Sequence, residues 1–373
     1  MTDPRTARLA QVMITYCLEV HPGQRIALYG STEAEPLLRE LYREVLRAGG
    51  YPYPFLGYEV YPSYGGFDDI FFKEASEDQL KHVFETDRMV RSSFEGMIIV
   101  RSSRNTRSLA GVPPERQQIR NTAYAGLQKT YLERTFQGEF RWVYGLYPTE
   151  ALAQEAEVDL ESFEKFVYRA CRVDRPKAVE AWKVVYDRQE KLVNWLANRE
   201  QVRVLGPNVD LSFSIQGRPF YNACGKYNLP DGEIFTSPVE TSVNGWMRFS
   251  YPAVEYGTLV EGVELRFEQG RVVEAKATKN QDFLNRMLDT DPGARYLGEW
   301  ALGTNEKIDT FSKDILFDEK MDGTMHMAVG VGYPQTGSRN QSAIHWDMIT
   351  DMTDGGQIFV DGELFYDSGK FKI

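Results

Sequence analysis

The sequence predicts an α/β N-terminal domain followed by an α+β, mostly antiparallel β C-terminal domain that carries a dinuclear metal site. Three observations lead there. The first roughly 150 residues alternate between strand-like and helix-like apolar patterns, as chains that form parallel layered sheets do. From Gln201 onward, short apolar strands separated by turns take over. The chain also has only 4 histidines in 373 residues, and two of them, His326 and His345, fall in one short acidic stretch. Imidazole and carboxylate together hold zinc, cobalt or manganese.

The elements follow in order. Residues 6–20 have apolar positions at helical spacing, and 25–29 (RIALY) form a short apolar strand. Residues 33–47 are amphipathic and helical, ending at Gly49-Gly50, and 52–56 form the next strand. A helix over 77–84, a buried strand over 97–101, a helix over 117–132 and a strand over 140–143 complete the alternation. The Gly30-Ser31-Thr32 turn stands where a nucleotide-binding loop would, but neither GxGxxG nor GxxxxGK is present, so no nucleotide is expected. Charged amphipathic helices over 159–170 and 176–198 read as a bridge that closes the first domain, 1–200. The second domain, 201–373, has strands over 202–205, 211–215, 247–251, 263–268 and 272–277, then a helix over 281–288. Further strands cover 326–329, 344–349 and 357–360, and a last hairpin turns at Asp361-Gly362.

A net charge of -11 disfavours nucleic acid and membrane surfaces, whose phosphates would be repelled, and mildly favours an amine-bearing peptide. A hydrophobic fraction of 42% with 26% charged residues suits a soluble enzyme that buries a full core without staples. Cys17, Cys171 and Cys224 are far apart and form no CxxC pair, so they read as unpaired core residues in a reducing compartment. No apolar leader and no apolar run long enough to span a bilayer is visible, which predicts a cytoplasmic protein. The Asn340-Gln341-Ser342 sequon is read as chance.

The candidate ligands are ordinary one by one. In His345-Trp346-Asp347, strand geometry turns His345 and Asp347 to one face and Trp346 to the other, yet a solvated polar face reads the same way. His326 lies among small apolar neighbours, where a core histidine is equally at home. Tyr333 sits in a Gly/Pro turn, as packing anchors do. Glu233 follows a Pro-Asp-Gly turn and starts a strand. Glu299 is the most telling acid, because it is embedded in an apolar run and buried charges are paired or bind metal. Asp318 and Glu319 offer no comparable argument. Five ligands exceed the needs of one tetrahedral zinc and suit two ions that share a carboxylate, while the single-zinc HExxH motif is absent.

The segments NLPDGEIFTSPVETSVNG, RYLGEWALGTN, ILFDEKMDGTMHMAVGVGYP and SAIHWDMITDM resemble the thermophilic metalloaminopeptidase family, the aminopeptidase T, S and II group. The likeness extends over nearly the whole chain. It implies two divalent ions (zinc, cobalt or manganese) held by Glu233, Glu299, His326, His345 and Asp347, with Glu299 bridging and Tyr333 close by. It also implies a homodimer that acts on short peptides with a free N-terminus through a metal-bridged hydroxide. Glu233, Glu299 and Tyr333 are then the catalytic side chains, with Tyr333 donating to the oxyanion or completing a metal shell. The alternative is a non-haem iron, ring-cleaving dioxygenase that uses His326, His345 and Asp347 as a facial triad and leaves Glu233 and Glu299 surplus.

Overall fold

The computed structural model describes residues 3–58 and 66–373. The chain divides into two compact units, one of Met1–Trp182 with Gly225–Asp231 and one of Lys183–Cys224 with Gly232–Ile373. The division falls inside the helix Ala178–Leu196.

The first unit is built on strands β1 (Arg25–Ser31), β2 (Tyr51–Gly57), β3 (Gly96–Arg101) and β4 (Arg141–Leu146), with β8 (Asn228–Leu229) added from the later segment. All pair in parallel, in the order β2-β1-β3-β4-β8. Ile26, Ala27, Leu28 and Tyr29 of β1 are all buried, the continuous apolar run that a parallel strand covered on both faces requires. The helix Glu35–Arg47 buries Leu37, Leu38, Leu41 and Val45 on one stripe.

Two elements differ from expectation. The helix read over 77–84 is only Glu77–Lys81, and it lies between two short helices that the sequence reading did not contain, Asp68–Glu74 and Glu85–Ser93. A capping box between Ser76 and Gln79 starts the middle one, and extended backbone at His82 and Phe84 stops it. The helix read over 6–20 is α-helical only over Pro4–Val12 and continues as a π turn over Met13–Cys17. Strand β8 escaped notice because two residues carry no periodicity.

The second unit holds two antiparallel sheets and a small ribbon. The larger sheet contains β5 (Gln201–Gly206), β6 (Val209–Ser214), β10 (Asn244–Arg248), β13 (Glu264–Glu268), β14 (Arg271–Lys276), β18 (Gln357–Val360), β19 (Glu363–Asp367) and β20 (Lys370–Phe371). Strands β11 (Ala253–Glu255) and β12 (Thr258–Val260) form the ribbon. The other sheet has the order β17-β16-β15-β9-β7, from β7 (Tyr221–Ala223), β9 (Glu233–Thr236), β15 (Leu297–Gly303), β16 (Thr324–Gly330) and β17 (His345–Asp351).

This last sheet has two chemically distinct faces. Ile234, Trp300, Leu302, Met325, Met327, Val329, Trp346 and Met348 join the core of the unit. Trp300 and Trp346 are essentially fully buried, and each large side chain so buried contributes roughly 1.5–3 kcal/mol. Because side chains alternate along a strand, the opposite face carries Glu233, Phe235, Glu299, Ala301, His326, Ala328, His345 and Asp347. The packing of the core therefore fixes where the polar residues point. All three cysteines are buried.

Candidate metal centre

Each acid is placed by a local device. Gly232, at φ +123, turns the chain into β9 just before Glu233, where a Cβ would come within 2.8 Å of the Asn305 side chain. From the helix Ala178–Leu196, the buried Gln189 donates from Nε2 to the carbonyls of Glu233 at 2.8 Å and Ala223 at 2.9 Å. It also donates to Asn222 Oδ1 at 2.8 Å, and its Oε1 accepts from Thr304 Oγ1 at 2.8 Å. Gln189 thereby ties β7, β9 and the end of β15 together, a role that an internal polar position on a helix does not advertise. Glu299 follows an irregularity in the β15–β16 register between Leu297 and Glu299. Gly298 permits it, since a Cβ there would lie 2.3 Å from the Val331 carbonyl. Such bulges re-aim the adjacent side chain.

The two glutamates expected from widely separated blocks meet both histidines. Glu233 Oε2 lies 3.3 Å and Glu299 Oε1 3.4 Å from His326 Nε2. Glu299 Oε2 lies 3.7 Å from His345 Nε2, which is also 3.4 Å from Asp347 Oδ2. His345 Nδ1 is 2.7 Å from the Val331 carbonyl. A carbonyl only accepts, so Nδ1 carries the proton and Nε2 is the nitrogen offered to a ligand. Tyr333, 41% exposed, stands edge-on to His345 with ring centroids 5.6 Å apart. It continues a ladder of rings through Phe235 at 5.7 Å to Tyr221 at 5.6 Å.

Two groups of candidate ligand atoms each lie within 4.8 Å of one another, Glu233 with Glu299 and His326, and Glu319 with His326 and Asp347. Glu319 and its neighbour Lys320 are the residues that sequence reasoning missed. They lie in a charged LFDEK run after a single helical turn, Ile315–Asp318, where no periodicity assigns them a face. Asp318 is neither exposed nor in these groups: its buried carboxylate accepts from the Ser312 amide at 2.7 Å and hydroxyl at 2.8 Å.

Proton affinities show how crowded the negative charge is. Burial pushes Glu233 up to about 8, against the pull of Lys320. Burial likewise raises Glu319, with Lys320 opposing, and lifts Glu255 on β11 to about 8, helped by Asp347. Burial opposes a proton on His326, but Glu299, Glu233, Asp347 and Glu319 outweigh it and hold the imidazole up at about 9. His345 is raised well above its ordinary value in the same way, chiefly by Asp347. Asp347 is the exception: burial would raise it, yet His345 brings it down to about 2.

These residues fit a divalent metal centre. Glu233 Oε2, Glu299 Oε2 and Asp347 Oδ1 are buried without a hydrogen-bond partner, although buried carboxylates are costly unless paired or bound to a cation. The donor set of carboxylates and imidazoles suits zinc, cobalt or manganese. There is also room. Ala328 lies in the register row between Glu299 and Asp347, and Ala301 lies between Phe235 and His326. Ala328→Leu is expected to fill that space and reduce bound divalent metal at least about fivefold, while overpacking costs only ~1–3 kcal/mol of stability. Metal analysis beside thermal unfolding checks both.

A family model described as thermophilic metalloprotease (M29) matches residues 2–371. The chain belongs to that family. The four sequence blocks had pointed to the same group. Among curated relatives of this M29 protein, aminopeptidase T of Thermus thermophilus is 28% identical over 396 residues, covering 95% of each chain. Aminopeptidase 2 of Geobacillus stearothermophilus is 25% identical, over 88% of this chain and 83% of its own. The solved structure of wild-type AmpT from Thermus thermophilus superposes with a TM-score of 0.82 at 25% identity, covering 99% of both chains. A 2,5-dihydroxypyridine dioxygenase from Pseudomonas putida KT2440 superposes with a TM-score of 0.58 at 14% identity over 98% of this chain and 97% of its own, a likeness of fold alone. No helix among the described residues is long and apolar enough to cross a membrane.

Proposed function

We propose that this M29 protein is a metal-dependent aminopeptidase that removes the N-terminal residue of short peptides, using two divalent ions. One observation carries the dinuclear reading: the two oxygens of Glu299 face two different imidazoles, Oε1 toward His326 and Oε2 toward His345. A carboxylate so placed serves as the shared ligand. Glu233 and His326 would hold one ion and His345 and Asp347 the other, with Glu319 grouped beside His326 and Asp347. Zinc, cobalt and manganese all suit these donors. Ions bound there would polarise the scissile carbonyl and make a deprotonated water available near neutral pH.

The protein's own groups do the rest. The acid cluster attracts the ammonium of a free peptide N-terminus, which restricts attack to the first peptide bond. Tyr333, a phenol whose ordinary pKa keeps it neutral at pH 7, donates to the carbonyl oxygen as negative charge develops on it. Donors of that kind contribute ~3–4 kcal/mol to the transition state. The rings of Phe235 and Tyr221 extend an apolar wall beside it. The homodimer and cytoplasmic location belong to the same reading.

Chelation followed by metal add-back, assayed on dipeptides and aminoacyl amides, tests it. Hydrolysis is expected to vanish on chelation and to return with zinc, cobalt or manganese at about two ions per chain. One iron per chain with no peptide hydrolysis would overturn the reading in favour of ring cleavage.

A further inference from the structure

The proposed mechanism gives no task to Lys320, a lysine with 0% exposure in the middle of the centre. Its ammonium lies 3.4 Å from Glu233 Oε1 and is paired with Glu319 Oε1. It therefore engages one oxygen of an acid from each of the two ligand groups. The other oxygen of Glu233 faces His326. Being fully buried, Lys320 has no route to a peptide and acts through these acids.

Two effects compete. By occupying one oxygen of each acid, Lys320 leaves each a single oxygen for an ion, which organises the site. Its positive charge also repels whatever cation those oxygens hold. The main chain of Glu233 is already fixed by β9 and by the Gln189 hydrogen bond to its carbonyl, so what Lys320 can organise is confined to the carboxylate itself. The repulsion between an ammonium and a divalent ion that share the same two carboxylates is large even at an effective dielectric constant of about 20. Repulsion wins.

We infer that Lys320 is a resident counter-ion, which holds the metal-free acid cluster in its folded arrangement and weakens the grip on divalent ions so that they exchange with solution. The inference rests on the metal reading above. A lysine that served only to organise the ligands would do the reverse and tighten the grip.

Lys320→Met removes the charge, and Lys320→Gln keeps a donor without it. Both are produced with Mn2+ present, so that metal loss is timed on folded protein. Release of Mn2+ to excess chelator is expected to be at least about tenfold slower than from wild type, and Mn2+ is expected to raise Tm by more than it does in wild type. Equal or faster release from the folded variants, or an unchanged rise in Tm, overturns the inference. Wild-type protein that takes up no Mn2+, Co2+ or Zn2+ overturns the metal reading itself, and the role of Lys320 with it.

Discussion

Glu299→Ala is expected to lower kcat/KM by more than about 1000-fold, a loss of ~4 kcal/mol in the transition state. Bound divalent metal should fall from about two ions per chain to one or fewer. The size follows from position. Glu299 is the residue whose two oxygens reach both imidazoles, at 3.4 and 3.7 Å, so its removal takes a ligand from both positions at once. A terminal acid such as Asp347, which faces His345 alone among the histidine ring contacts, should cost less metal when changed to Ala. Stability separates this role from a structural one. Glu299 Oε1 pairs with His326, but Oε2 has no hydrogen-bond partner and the acid stands among Glu233, Asp347 and Glu319, so relief of the crowded charge offsets the lost pair and the metal-free variant should unfold close to metal-free wild type. Retained activity, or a large drop in metal-free Tm, contradicts the assignment.

Metal uptake is expected to release protons and to tighten by at least about tenfold per pH unit between pH 6 and 8. The sign follows from which groups hold protons without metal. His326 stays protonated up to about 9 and Glu233 up to about 8, and His345 is raised as well. An imidazolium has no lone pair for a cation, so an ion entering at pH 7 must displace these protons. Lowering the pH favours the protonated, metal-free site; raising it through 8 and 9 removes the competition. Calorimetric titration of chelated protein in two buffers of different ionisation heat reads the protons released. Affinity that does not change with pH, with no buffer dependence, would contradict the electrostatics of the site.

Much of the candidate site could be read from the chain because the candidate ligands obey strand alternation. In His345-Trp346-Asp347 the expected two-faced arrangement is the observed one, with Trp346 in the core and its neighbours 3.4 Å apart. Glu299 attracted attention as an acid in an apolar run, and the same apolar run forms the buried face of β15. Glu319 was weighed and set aside, and Lys320 and Gln189 went unread, for a shared reason. A one-turn helix, a charged tripeptide and a polar position inside an amphipathic helix carry no period that says where they point. The same limit explains the fold. The long alternation of the first unit was plain, while of three short helices between 68 and 93 only the middle one was read, three residues too long, and β8 was not read.

The face that carries the acids and imidazoles and the tryptophan-bearing face of β9, β15, β16 and β17 are two sides of one pleated surface. Sliding any of these strands by one position would send an acid or an imidazole into oil and push an indole or thioether out to meet the cation. Length variation that preserves the enzyme therefore belongs in the connecting loops, and an insertion inside these strands has to be absorbed by a bulge, as between Leu297 and Glu299.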